Sequence, residues 1–401
     1  MLPLSLYIHL PWCVRKCPYC DFNSHALNGT PLPEHEYIDA LLSDLAHAVS
    51  KISPRPLRSI FIGGGTPNLF SAAAIGRLLD GIARHLPLTS DIEITLEANP
   101  GAAEAQRFVE YRNVGINRLS LGVQSLDDGS LQTLGRIHTA DEARQAIAVA
   151  RDVFPNVNLD FMFALPGQTM DRLDDTLREV CGFGVPHLSL YQLTLEPHTR
   201  FHHAPPERLP DADTAAAMQE HIEEVLAIAG YARYEVSAYA QPGAMCAHNL
   251  NYWQFGDYLG VGAGAHGKHS FFDKEGKIVR VERTVKQPHP RRYMESAQTA
   301  PETLTVESRI VSRDEFAFEF MLNALRLRGG VPRTFFPERT GVPLADIASM
   351  VRDAIARGLL ESDETVFRTT APGWRFLNDT VQCFLADSEE KGKKRLTAKN
   401  A

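Results

Sequence analysis

The sequence predicts an α/β protein: an open, partial (βα)6 barrel followed by a smaller α+β C-terminal domain with a winged-helix-like module. Three observations carry this. Between Leu4 and Leu195, short β-rich runs alternate with longer segments of helical periodicity, the pattern of repeated βα units. The Pro-rich stretch from Pro197 to Pro210 interrupts that pattern, and from Ser312 onward the periodicity is mainly helical.

The predicted strands are Leu4 to Leu10, Ser59 to Ile62, Ile92 to Glu97, Arg118 to Val123, Val157 to Phe163 and Leu188 to Leu193. Helices fit between them at Glu36 to Val49, Ala72 to His85, Ala103 to Asn113, Asp141 to Val153 and Asp171 to Gly182. Six units are too few for a closed eight-stranded barrel, so the sheet stays open, with ligands expected at the C-terminal strand ends. After a helix from Asp213 to Ala229, Tyr231 to Ala240 reads as a strand. Gln241 to His289, rich in glycines, aromatics and histidines, reads as a long irregular stretch. Beyond Ser312 the order is helix, short helix, helix (Leu344 to Arg357), then a turn and two strands around Leu359 to Phe376.

The 401 residues, 44% hydrophobic and 22% charged, suffice for a large core and a second domain. No apolar run reaches bilayer-spanning length, and Met1 to Leu10 lacks the basic start and cleavage site of a secretory signal, so a cytoplasmic location is expected. A net charge of −8 opposes broad nucleic-acid binding. The basic tail from Lys391 to Lys399 reads as a solvated end, with transient membrane-surface association as its alternative use. Six cysteines in so long a chain do not make a disulfide framework.

Three of those cysteines, Cys13, Cys17 and Cys20, stand in the order Cys-x-x-x-Cys-x-x-Cys just after the first strand. Three thiolates within eight residues can wrap one soft metal centre, and a cubane iron-sulfur cluster held by three of them keeps one iron open. A zinc site needs a fourth ligand, for which His9 or His25 is available. Pro11 and Pro18 oppose the remaining reading, inert thiols on one helix face. Gly63 to Pro67 follow the second strand, where backbone must approach a ligand closely. Glu97, Gln124, Asp160 and Thr194 fall at or near strand C-termini, and Arg136 lies on the stretch after the fourth strand. Together they predict one polar binding mouth, with Arg136 able to fork onto a carboxylate and Glu97 or Asp160 able to accept from an ammonium or from ribose hydroxyls.

The segments Tyr7 to Cys13, Cys17 to Cys20, Gly63 to Pro67, Gly122 to Ser125 and Asp160 to Thr169 resemble the radical S-adenosylmethionine (SAM) superfamily, in its coproporphyrinogen oxidase-like branch. The resemblance implies that Cys13, Cys17 and Cys20 hold a [4Fe-4S] cluster whose fourth iron binds SAM. It also implies that Gly64, Gly65, Thr66, Glu97, Gln124, Arg136, Asp160 and Thr194 contact SAM, with Tyr7 and Tyr19 nearby, and that a reductant supplies the electron that cleaves SAM. In these terms residues 1–210 form the radical SAM core, 211–300 a connecting and haem-binding region, 301–385 the C-terminal domain and 386–401 a basic disordered tail.

Two activities occur within that branch, oxidation of coproporphyrinogen III and haem chaperoning. The oxidase pattern adds a cysteine two residues past the last ligand and an extension before the first strand; here Phe22 occupies that position and the strand begins near Met1. His248-Asn249-Leu250-Asn251-Tyr252-Trp253 resembles the His-Asn-x-x-Tyr-Trp motif of the chaperone group, which implies haem held by His248 as axial ligand with Tyr252 and Trp253 beside it. Cys246 is a candidate second contact, and the other histidines read as loop or pocket-wall residues. The expectation is therefore a haem chaperone that delivers haem to apo-haemoproteins such as membrane respiratory enzymes. Its alternatives are the oxidase and a zinc-bound interaction protein.

Overall fold

The structure is a computed structural model that describes residues 2–101 and 105–385. The basic tail therefore lies outside the described residues, as does the start of the helix predicted from Ala103. Six parallel strands form the first part of the sheet: β1 (Leu4–Leu10), β2 (Leu57–Gly64), β3 (Leu88–Ala98), β4 (Arg118–Gln124), β5 (Asn156–Phe163) and β6 (His187–Gln192). They neighbour one another in chain order, and the helices between them are α1 (Glu34–Val49), α2 (Ala72–His85), α3 (Phe108–Asn113), α4 (Ala140–Val153) and α5 (Met170–Gly182). Along β1, Leu4, Leu6, Ile8 and Leu10 are buried in the core shared with the helices. Ser5, Tyr7 and His9 point the other way, into the concave interior, where the Ser59 hydroxyl donates to that of Ser5 and Tyr7 stacks on Phe61. Caps set the helix starts: Thr139 and Glu142 form a reciprocal capping box at α4, and the Ser71 hydroxyl accepts from the Ala74 amide at α2.

The stretch expected to be irregular is ordered secondary structure instead. After α6 (Ala212–Ile228), the expected strand Tyr231 to Ala240 is split into β7 (Ala232–Arg233) and β8 (Ala238–Ala240), paired antiparallel, with β8 antiparallel to β6. Then come α7 (Ala247–Trp253), β9 (Asp257–Val261), β10 (His266–Phe272), β11 (Ile278–Lys286), α8 (Pro290–Thr299) and β12 (Thr305–Ile310). β9 adds a seventh parallel strand, paired with the free side of β1. The full order is β12-β11-β10-β9-β1-β2-β3-β4-β5-β6-β8-β7, an open twelve-stranded sheet. The alternation was hidden because lysines, which read as solvated, occupy inward-facing strand positions: Lys268 and Lys286 are almost fully buried, paired with Asp257 and Asp44.

A second core holds the C-terminal module, built from α9 (Phe316–Ala324), α10 (Phe335–Thr340) and α11 (Ala348–Ala356) around Phe320, Phe336 and Phe367. Its small sheet differs from expectation. Val366–Phe367 pairs with Val331–Pro332, an isolated bridge joins Leu360 to Thr369, and Ala371–Arg375 is helical where the second strand was expected to continue. Thr370 caps that helix and Pro372 sits in its first turn, a start signal that outweighs the strand reading.

Asp257 ties the halves together. Its carboxylate takes the Arg55 guanidinium, the Lys268 ammonium at 3.0 Å, and the amide and hydroxyl of Ser270 at 3.0 and 2.8 Å. Burial opposes its charge, yet the Lys268 and Arg55 cations hold its carboxyl below the usual range, while burial pushes the Lys268 ammonium down to about 8. Asp257→Asn removes the anion and strands two buried cations. It should cost about 3–5 kcal/mol, read as a lowered urea midpoint.

Candidate active site at the C-terminal strand ends

The loop after β1 and the C-terminal ends of β2 to β6 surround one mouth, lined by Cys13, Cys17, Tyr19, Cys20, Gly64, Gly65, Thr66, Glu97, Gln124, Arg136, Asp160 and Thr194. Twelve of the residues read from the sequence thus converge. All three cysteines are free thiols. The loop closes on itself by a short parallel pairing of Trp12–Cys13 with His25–Ala26. Gly64 and Gly65 stand where only glycine fits: Gly64 has φ +115°, and a side chain on Gly65 would come within 2.5 Å of the Trp12 carbonyl.

The carboxylates lie at the base of the mouth. The Gly64 amide donates to Glu97 at 3.0 Å, and burial together with the Asp160 charge pushes the Glu97 carboxyl up to about 7. Burial likewise raises the Asp160 carboxyl, against the hydrogen bonds that Asn158 and Ser120 donate to it at 2.9 and 3.0 Å. Gln124 is reached through a register shift in β4 and adopts φ +68°. Arg136 does not offer the free fork expected of it: Nη2 donates to Asn99 Oδ1 at 2.6 Å and to the Gly122 carbonyl at 2.7 Å, and Nη1 faces Cys17 Sγ at 3.9 Å. Its buried Nε has no hydrogen-bond partner. Three thiols, a guanidinium and a glycine cradle at one mouth fit an iron-sulfur cluster with a zwitterionic ligand beside it.

Sequence reasoning missed Asn99, Tyr191 and Ser120, which line the same mouth. Asn99 donates to the Thr66 hydroxyl at 3.2 Å while accepting from Arg136, so it joins the glycine turn to the guanidinium. Its place just after β3, beside Pro100, was the available signal. The candidate zinc ligands are engaged elsewhere. His9 meets the Tyr7 hydroxyl and the Asn23 carbonyl through its two nitrogens, each at 2.9 Å, and His25 meets Asn23 Oδ1 at 3.2 Å.

Tyr7, His248, Tyr252 and Trp253 lie away from the mouth. α7 packs against β2 with its first amides on Glu93: Ala247 and His248 each donate to that carboxylate at 3.1 Å, and Cys246 Sγ reaches it at 3.4 Å. His248 is 1% exposed. Nδ1 meets the Ser59 hydroxyl and Nε2 the Tyr252 hydroxyl, each at 2.9 Å, and the ring stacks on Phe61. Burial, then the Arg118 charge, pushes this imidazole down to about 3, so it is neutral. His248 lies below the glycine turn in the same interior, bonded to Ser59 on β2 and stacked on Phe61, two residues before Gly63. Tyr7 bridges the two levels, bonded to His9 and 6.5 Å from the His248 ring. Trp253 faces the C-terminal module, with Arg326 over its ring at 4.3 Å. Cys246 is wholly buried on Glu93.

Comparison with known proteins agrees with this architecture. The Radical SAM superfamily matches residues 7–180 and the HemN C-terminal domain matches residues 311–376. The "Heme chaperone HemW" of Escherichia coli is 46% identical over 96% of this chain and 99% of its own, and that of Bacillus subtilis 33% identical over 96% and 99%. A mouse protein, "Radical S-adenosyl methionine domain-containing protein 1, mitochondrial", is 34% identical over 98% of this chain and 89% of its own. Among solved structures, the E. coli coproporphyrinogen III oxidase (HemN) superposes with a TM-score of 0.79 at 21% identity, covering 96% of this chain and 90% of that one, which shows a shared fold. A three-cysteine loop on a partial barrel and near-full-length identity of this degree together place the chain in the radical SAM superfamily, within the HemW heme chaperone family.

Proposed function

We propose that the chain is a haem chaperone built on a radical SAM core, which binds haem and passes it to apo-haemoproteins. The observation that carries this reading is the 46% identity with a heme chaperone over nearly the whole of both chains. The cysteine mouth supports the cofactor part. The family membership implies SAM and a [4Fe-4S] cluster, which when bound supply radical chemistry started by one electron. Cys13, Cys17 and Cys20 hold the cluster. Glu97 would accept from the ammonium of SAM, Arg136 would place its positive charge toward the carboxylate, the Gly64 to Thr66 turn would hold the polar end, and Asp160, Gln124, Thr194 and Tyr19, which line the same mouth, would contact the rest of it. Acceptors of the respiratory-enzyme type and a cytoplasmic location belong to the same proposal. Among the described residues no helix is long and apolar enough to cross a membrane. The oxidase alternative predicts turnover of coproporphyrinogen III, and Phe22 stands where that pattern has a further cysteine.

Haem ligation by His248 requires this imidazole to leave either Ser59 or Tyr252, because both nitrogens are bonded in the closed interior. Its neutral state suits an iron ligand once freed. The test is an anaerobic haem titration following the Soret band. His248→Ala should abolish saturable binding, and Tyr252→Phe, which releases Nε2 without a change of shape, should tighten it; two wild-type titrations would move the haem site elsewhere.

Serine at Cys13, Cys17 or Cys20 should each remove the cluster chromophore, checked by iron and sulfide content. Retention of stoichiometric iron in all three would overturn the cluster assignment.

Glu97 supplies a pH dependence. Its proton is bound below about 7, and only the carboxylate takes an ammonium. SAM affinity should therefore fall by about eightfold from pH 7.5 to 6, and Glu97→Gln should be weaker throughout with a flatter profile, as read by calorimetry on the cluster-loaded protein.

A further inference from the structure

Asn23 stands three residues beyond Cys20, and its side chain has no hydrogen-bonding atom to spare. Nδ2 donates to the carbonyls of Ala263 at 2.9 Å and Pro288 at 2.8 Å, and Oδ1 faces His25 Nε2 at 3.2 Å. Its own carbonyl meets His9 Nε2 at 2.9 Å. Aspartate lacks both donors and alanine lacks all three groups, so neither reproduces this junction.

The acceptors are themselves anchored in the core. The Ala263 amide donates to the Tyr37 hydroxyl at 2.8 Å, and that hydroxyl donates to the His9 carbonyl at 2.9 Å. The neighbouring Gly262 amide faces the Tyr293 hydroxyl at 3.0 Å and Asp44 at 3.3 Å. Tyr37, Tyr293 and Asp44 are fully buried. The Gly264 amide donates to the Gln287 carbonyl at 3.0 Å, which links the two segments that receive Asn23. Gly264 has φ +78°, and a side chain there would run into the Asn23 amide. Gly264, at the end of the glycine-rich run from Gly260, thus lets the chain pass under the cysteine loop closely enough to receive Asn23, while Gly260 and Gly262 lie against the His266 and His9 backbones.

Ahead of Cys20 the loop is held from outside by Arg15, which donates to the Gly135 carbonyl at 2.7 Å, and by the Phe201 amide, which donates to the Pro18 carbonyl at 3.0 Å. Beyond Cys20 the side chain that reaches distant segments is Asn23, and the thiolates it must help to hold repel one another when ionised. We propose that Asn23 is a positioning residue for the metal centre, locking the Cys20 end of the loop onto the Ala263 and Pro288 carbonyls so that the three thiols are presented in one geometry. This rests on the reading that the three cysteines hold a cluster. The loop from one end of the chain is thereby held by residues more than two hundred positions away.

The experiment compares wild type with Asn23→Asp, Asn23→Ala and Gly264→Ala in the full chain. In cluster-reconstituted protein, Asn23→Asp and Gly264→Ala should lose iron to a chelator about tenfold faster than wild type. The electron paramagnetic resonance signal of the reduced cluster should broaden, while far-ultraviolet circular dichroism stays at wild type. In iron-free protein, the amides of Ser24, His25 and Leu27 should exchange hydrogen faster in all three variants, and those of Leu6 to Ile8 should not. Wild-type iron loss and wild-type loop exchange in folded variants would overturn the proposal. The exchange measurement needs no metal, so it reads the lock even where the cluster assignment fails, and Gly264→Ala reads it from the opposite side where Asn23 variants do not fold.

Discussion

The parallel pairing of Asp257–Val261 with Leu4–Leu10 is the constraint on which the rest of the structure depends. It places a strand from late in the chain beside the first one, so that β1 is interior to the sheet and has no open edge. That register carries three things into place at once. It sets Asp257 against Arg55, it delivers Gly264 to the underside of the cysteine loop, and it holds α7, just before it in sequence, inside the concave face.

The second organising fact is the polar interior. Strand alternation sends Ser5, Tyr7, His9, Ser59, Glu93, Glu97, Ser120 and Asp160 to the concave side, away from the helices. Buried polar groups must be partnered. Toward the lower end the partners come from the protein: α7 amides cover Glu93, and Ser59 and Tyr252 cover His248. Toward the mouth, burial and the Asp160 charge hold the Glu97 carboxyl up at about 7. An ammonium brought beside Glu97 by a ligand would offset that cost, so the same physics that seals one end of the interior leaves the other receptive.

Much of the fold was legible. The six parallel strands and their helices were read to within a few residues, because apolar periodicity and caps such as Thr139 with Glu142 are local signals. The region from Gln241 to His289 was not. Its strands carry Lys268 and Lys286 at buried positions, and a buried lysine looks like a solvated one until its carboxylate partner is found far away in sequence. The mouth was legible for the converse reason: strand C-termini of βα units meet at one end by topology, so Glu97, Gln124 and Asp160 could be gathered without coordinates. Asn99 escaped because an asparagine before proline reads first as a turn.

By itself the sequence determined the βα repeat, the three-thiol loop and the polar mouth, since spacing, periodicity and side-chain chemistry act over short stretches of chain. Only the tertiary structure decided where the late histidine motif goes, why Gly264 must be a glycine, and what reaches the cysteine loop from afar. Those depend on a long-range register and on donors and acceptors paired across more than two hundred residues, and no local pattern encodes such a pairing.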